Sequence, residues 1–147
     1  MSAKKHINKT IIIASDHAGF DLKEVIKKFL KEKRKKVIDL GTRNKDSVDY
    51  PDFAHLLAKK IKSSSQIGIL VCGSGAGMYI TANKHKKVRA ALCYSVKSTK
   101  LSRQHNNANV MAIGARLTKK NVALKCVSVF IKTKFIAGRH LRRINKI

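Results

Sequence analysis

The chain has 147 residues, 33 of them Lys or Arg and only eight Asp or Glu, giving a formal net charge of +25, and 44% are hydrophobic. That length and apolar content fit one compact domain over 1–147, with 1–9 read as a loose basic N-terminus. The sequence contains neither an apolar stretch of the roughly 18 residues a membrane span needs nor the apolar segment of a secretory signal, so the chain reads as cytoplasmic, with no membrane partner.

Thr10–Ser15 is a β-branched apolar run and the first of five expected buried strands; the others are Lys36–Leu40, Ile67–Cys72, Val88–Cys93 and Val110–Gly114. Between the first two, Leu22, Val25, Ile26, Phe29 and Leu30 repeat at helical spacing, with Asp21 as the expected N-cap and Glu24 completing a capping box. Further helices are predicted over Phe53–Ile61, Gly77–Lys84, Val96–Gln104 and Lys119–Ile131. The tail from Gly138 carries Leu141 and Ile144 at spacing three, the pattern of a short docking helix. Alternating β and α with short connections predicts an α/β fold built on a five-stranded parallel sheet, covered on both faces and joined by right-handed crossovers.

Ligands of such sheets bind beyond the carboxyl ends of the strands. That rule gathers Asp16, His17, Thr42, Arg43, Cys72 to Gly77 and Gly114 to Arg116 on one rim. In Cys72-Gly-Ser-Gly-Ala-Gly77 a thiol ends an apolar run beside a glycine turn whose N–H groups can converge on an oxyanion or phosphate. The same field favours an anionic sulfur. The turn lacks the third glycine of a dinucleotide fingerprint, and it lacks the lysine and hydroxyl pair of a Walker loop. Its plain alternative is a tight β-to-α connection, and the plain alternative for Cys72 is a small buried hydrophobe, which is how Cys93 and Cys126 are read. These three scattered cysteines form no disulfide framework and no C-x-x-C pair, and are read as reduced. His105 precedes the fifth strand and so belongs to the opposite edge of the sheet; acting with Cys72, it must come from a second subunit. His140, between arginines, reads as part of a solvated basic tail.

All eight acids lie within the first 52 residues, so a general base drawn from 53–147 must be Cys, His, Tyr or an unusual Lys. The same imbalance draws anions, nucleic acid among them. The lysines are strewn singly and in pairs, without interleaved aromatics or a reading module, so a solvated surface is preferred to a nucleic-acid or polyanion site. Together the thiol, the anion cradle, the two histidines and the arginine cluster describe acid/base chemistry on a small phosphorylated substrate.

The same residues carry a resemblance. Ala14-Ser-Asp-His-Ala-Gly-Phe20, Asp49-Tyr-Pro51, Cys72-Gly-Ser-Gly-Ala-Gly-Met78, Ala82-Asn-Lys84, Ser102-Arg-Gln-His-Asn-Asn-Ala-Asn109 and Gly138-Arg-His140 follow one another as in ribose-5-phosphate isomerase type B, which the chain resembles from Ile11 to Arg143. The resemblance implies a Rossmann-like three-layer α/β/α sandwich, no metal or organic cofactor, and a homodimer with shared active sites, in some relatives paired into a tetramer. It implies interconversion of ribose 5-phosphate and ribulose 5-phosphate through a cis-enediolate. Cys72 then corresponds to the base, Gly73, Gly75, Ala76 and Gly77 to the oxyanion turn, and Ser74 to the hydroxyl that assists transfer between oxygens. His105, donated by the neighbouring subunit, corresponds to the ring-opening histidine, with Asp16 on the hydroxyl side and Asn106 nearby. His17, Arg139 and Arg143 match phosphate positions, Arg116 an additional interface contributor, and Tyr50 a pocket-lining residue. One branch of the family uses a glutamate just after the turn, where this chain has Met78. A hexose 6-phosphate, allose or galactose 6-phosphate, is the nearest alternative substrate. The high positive charge departs from the relatives and is read as surface drift.

Overall fold

The structure, a computed structural model, describes residues 9–63 and 65–147; of the expected loose N-terminus, residues 1–8 lie outside it. Among the described residues, strands β1 (Thr10–Ser15), β2 (Val37–Asp39), β3 (Gln66–Cys72), β4 (Ala90–Leu92) and β5 (Val110–Gly114) form one parallel sheet in the order β2-β1-β3-β5-β4. Helices α1 (Phe20–Glu32), α2 (Tyr50–Lys60), α3 (Ala76–Ala82), α4 (Val96–Asn106), α5 (Lys120–Lys132) and α6 (Gly138–Ile144) alternate with and follow the strands.

The three central strands are apolar on both faces because both are covered. Alternate residues divide between two cores: Ile11, Ile13, Ile67, Ile69, Val71, Met111 and Ile113 pack under α1 and α5, whereas Ile12, Ala14, Leu70, Cys72, Val110 and Ala112 pack under α2 and α3. The period of two along each strand thus builds the three-layer sandwich, and it puts Cys72 on the α2–α3 side.

The edge strands are shorter than their apolar runs: Val88 and Cys93 are buried but lie outside β4, although Cys93 N still donates to the Ala112 carbonyl at 2.9 Å, and β2 loses one residue at each end. Helix α2 begins three residues earlier than its apolar pattern, at Tyr50, because Pro51 fixes the first turn without needing a partner for an N–H. The expected capping box on α1 does not form. Gly19 is the N-cap, without a side-chain cap, and Glu24 turns instead to Lys23 and Lys27. Lys23 is fully buried, so its charge, and not the orphan N–H groups of the first turn, claims the nearby carboxylates.

At the centre of that cluster, Asp39 Oδ2 accepts from Lys23 Nζ at 2.6 Å and lies 2.7 Å from Lys27 Nζ, while Oδ1 accepts the N–H of Gly41 at 2.8 Å. Burial by itself would raise the Asp39 pKa, but the hydrogen bonds from Lys23, Lys27 and Gly41 outweigh it and hold the carboxyl below the usual carboxylate range. The cluster braces the rim of the sheet, since Ser15 N donates to the Gly41 carbonyl and Thr42 N to the Ser15 carbonyl. A depressed native pKa contributes stability that is complete above the unfolded value near 4 and is lost as pH falls through the native value. Asp39→Asn is expected to cost about 3 kcal/mol at pH 7 by leaving the buried Lys23 with only the half-exposed Glu24 as a charged partner. Urea unfolding at pH 7 and at pH 3 checks both points: the gap between wild type and variant narrows in acid.

Candidate active site

The strand order reverses between β1 and β3, because the chain leaves β1 towards β2 and then builds the remaining strands on the other side. A crevice opens beyond the carboxyl ends at such a reversal. Here it is a cleft of about 440 Å³ lined by Asp16, His17, Tyr50, Cys72, Ser74 and Arg116, with Gly73 and Gly77 at its wall.

Cys72, the last residue of β3, sits at the floor, 4% exposed, and its Sγ accepts the N–H of Gly75 at 3.1 Å. Gly75 adopts φ +81°, and a Cβ there would come within 2.8 Å of Leu92 and 3.0 Å of the Gly114 nitrogen. The left-handed turn against β5 is therefore open only to glycine, and it aims that N–H at the sulfur. Ala76 N donates to Ser74 Oγ at 3.3 Å. Of the turn expected to cradle an oxyanion, the Gly75 and Ala76 N–H groups are thus already engaged within the chain. Among the described residues, the N–H groups of Gly73, Ser74 and Gly77 have no acceptor. Cys93 and Cys126 are sealed in the other core, and burial pushes the Cys93 thiol up to about 12.

On the opposite wall, Asp16 N donates to the Val71 carbonyl, and Asp16 Oδ1 accepts the N–H of Gly19 at 2.9 Å. The helix can start there because a Cβ on Gly19 would lie 2.3 Å from the Val71 oxygen, an approach only glycine permits. Among the described residues only Oδ1 of Asp16 is engaged, which leaves Oδ2 for the cleft. His17 Nδ1 accepts the N–H of Val48 at 3.2 Å, so Nε2 carries the ring proton as a donor. The Tyr50 ring lies against Gly77, where a Cβ would stand 2.4 Å from it. Arg116 N donates to the Gly73 carbonyl at 3.0 Å, and its guanidinium passes over Gly73. Thr42 is buried in the rim, and neither it nor Arg43 lines the cleft.

The remaining expected residues gather elsewhere. His105, Asn106 and Arg143 line a second cleft of about 280 Å³ together with His140, Ile144 and Ile147. The His105 and His140 rings stack at 4.2 Å, with 13° between their planes. Desolvation and then the charges of His105, Arg139 and Arg143 hold the His140 imidazole below the ordinary histidine range. His105 precedes β5, and Cys72 pairs in register with Gly114 at the far end of that strand, so the two stand at least a strand length apart, about 13 Å. Arg139 lines neither cleft. The sequence places His140 in a solvated basic tail; its ring instead stacks on His105 because α6 packs against α4, a contact between distant segments that local sequence does not signal. Among the described residues no three His, Cys, Asp or Glu side chains gather closely enough to hold a metal ion, and no helix is long and apolar enough to cross a membrane.

A sequence profile of the family described as Ribose/Galactose Isomerase matches residues 11–147. The crystal structure of ribose-5-phosphate isomerase B from Mycoplasma genitalium with bound ribulose-5-phosphate superposes with a TM-score of 0.91 at 47% identity, covering 96% of this chain and 95% of that one. A ribose 5-phosphate isomerase of Thermotoga maritima gives 0.91 at 46% identity over 94% of this chain and 96% of that one. Ribose-5-phosphate isomerase B of Escherichia coli is 39% identical over 140 residues, 95% of this chain and 94% of its own.

Proposed function

The chain belongs to the ribose/galactose isomerase family and is a sugar-phosphate isomerase, and from that premise we propose that it interconverts ribose 5-phosphate and ribulose 5-phosphate at sites built jointly by two subunits. The observation that carries this reading is the sulfur of Cys72 on the floor of a polar cleft, holding the Gly75 N–H, in a wall whose Gly73, Ser74 and Gly77 N–H groups have no acceptor among the described residues.

In the open-chain aldose, Cys72 Sγ as thiolate takes the proton from C2, and negative charge moves onto the carbonyl oxygen at C1. The N–H groups of Gly73, Ser74 and Gly77 receive that charge, as preorganised donors do where an oxyanion develops. The Ser74 hydroxyl relays the proton between the two oxygens, and the thiol returns its own proton to C1, so the reaction is balanced without a cofactor. Met78, at the position of the glutamate in the other branch, is fully buried in the core, and Asp16, the one carboxylate lining the cleft, has one oxygen fixed on Gly19. Both facts favour the sulfur as base.

Ring opening precedes this step and falls to His105 of the second subunit, with Asn106 beside it and Asp16 facing it across the joint site. His17, through Nε2–H, and Arg116 meet the substrate from the Cys72 side, while Arg139 and Arg143 bring charge for the phosphate from the other. Exposed Ile80, Tyr94, Leu101 and Leu141 supply apolar surface for such a union. The deciding measurement is turnover of ribose 5-phosphate by the purified protein in a coupled assay, beside allose 6-phosphate. Catalytic efficiency is expected to favour the pentose by about tenfold or more, and a preference for the hexose reassigns the substrate.

A further inference from the structure

We propose that the end of the sheet opposite the catalytic cleft is a binding site for a small polyanion, a ligand carrying two or more phosphate groups. A cavity of about 590 Å³ opens at the amino ends of β1, β3 and β5, and Lys9, Lys62, Lys86, Lys87, Arg89 and Arg103 line it. No acidic side chain does. The ion pairs among the described residues involve only Lys23, Lys27 and Lys45 as cations, so all six charges at this pole are left without a carboxylate.

The two arginines are held in place by the backbone. Arg103 is 4% exposed, lies over the face of Phe130 at 5.1 Å, donates from Nε to the Thr133 carbonyl at 3.2 Å and from Nη1 to the Ala108 carbonyl. Arg89 donates from Nε to the Asn107 carbonyl at 3.0 Å. These contacts orient the guanidinium groups without neutralising them, which lowers the entropy lost when a ligand binds. Lys62, Lys86 and Lys87 are exposed at the mouth and supply mobile charge. The crowding of like charges is felt inside the site: burial and then the Arg89 charge lower the Arg103 pKa, and burial and then Arg103 lower that of Lys9. An anion relieves that repulsion.

The dimensions select the class of anion. One phosphate cannot reach six cations spread around a cavity of this volume, whereas a chain of phosphates can, through charge-assisted hydrogen bonds. The cavity is concave, and its lining has no aromatic side chain on which a base of single-stranded nucleic acid would stack. It shares no lining residue with the cleft that holds Cys72 or with the one that holds His105.

Calorimetric titration of the intact protein with tripolyphosphate and with ATP tests the site directly, independently of turnover. One equivalent per chain is expected for each, since both present the same phosphate chain. In the variant Lys62→Gln/Lys86→Gln/Lys87→Gln both affinities fall by about tenfold or more, while kcat/KM for ribose 5-phosphate stays unchanged and excess ribose 5-phosphate displaces neither ligand. ATP binding much more tightly than tripolyphosphate supports the site and identifies a nucleotide as its occupant. Absence of saturable binding, equal affinity in the triple variant, or displacement by ribose 5-phosphate overturns the proposal. Binding that strengthens with oligonucleotide length while tripolyphosphate fails to saturate overturns it in favour of a nucleic-acid surface.

Discussion

Cys72→Ala is expected to lower kcat for ribose 5-phosphate by about a hundredfold or more, the usual cost of removing a general base, while the affinity for ribose 5-phosphate stays within about threefold. The asymmetry follows from geometry. Sγ lies at the cleft floor and holds only the Gly75 N–H, whereas the groups suited to a phosphate, His17, Arg116, Arg139 and Arg143, make no hydrogen bond to it among the described residues. The substitution removes one buried atom beside a turn already fixed by Gly75 and Gly114, so the fold survives it. Progress curves from the coupled assay give kcat, and calorimetry on the inactive variant gives binding without turnover. Unchanged kcat removes the sulfur from the mechanism. A loss confined to Asp16→Asn transfers the role of base to the carboxylate.

Mixing two dead variants should restore life to a predictable fraction of sites. Cys72→Ala and His105→Ala chains, each inactive by itself, are dissociated in mild denaturant, mixed in equal amounts and reassembled. Half of the dimers are then hybrids, and each hybrid holds one site with both residues intact, so about a quarter of wild-type activity returns. Sites contained within single chains regain nothing under the same treatment. The expectation rests on the separation of Cys72 from His105 by the length of β5, which no side chain in one subunit spans.

Much of this was legible in the sequence. Strands β1, β3 and β5 stood out because a strand buried on both sides is a continuous apolar run, and β5 was bounded to the residue. The separation of His105 from Cys72 followed from parallel topology alone, since a residue preceding one strand and a residue ending another face opposite edges. What escaped depended on contacts between distant segments. Lys23 reads as one more surface lysine until Asp39, sixteen residues on, is brought to 2.6 Å from it, and that ionic cluster then takes Glu24 away from the expected cap. The division of labour within the glycine turn was equally hidden, because only the positive φ of Gly75 shows which N–H turns inward to the sulfur. The basic pole could not be seen either: Lys9, Lys62, Lys86 and Arg103 are scattered along the chain and meet only where three strands begin.

The outline of the cleft that holds Cys72 is set where main chain meets main chain. Gly19 nests under Val71 and Gly114 under Ser74, with distances that leave no room for a methyl group. Such a mould takes its shape from missing atoms and owes nothing to the paint on the outer helices. An ancestor could exchange acidic for basic residues across nearly its whole exterior, arriving at a charge of +25, and the thiol at the bottom of the mould would not have moved.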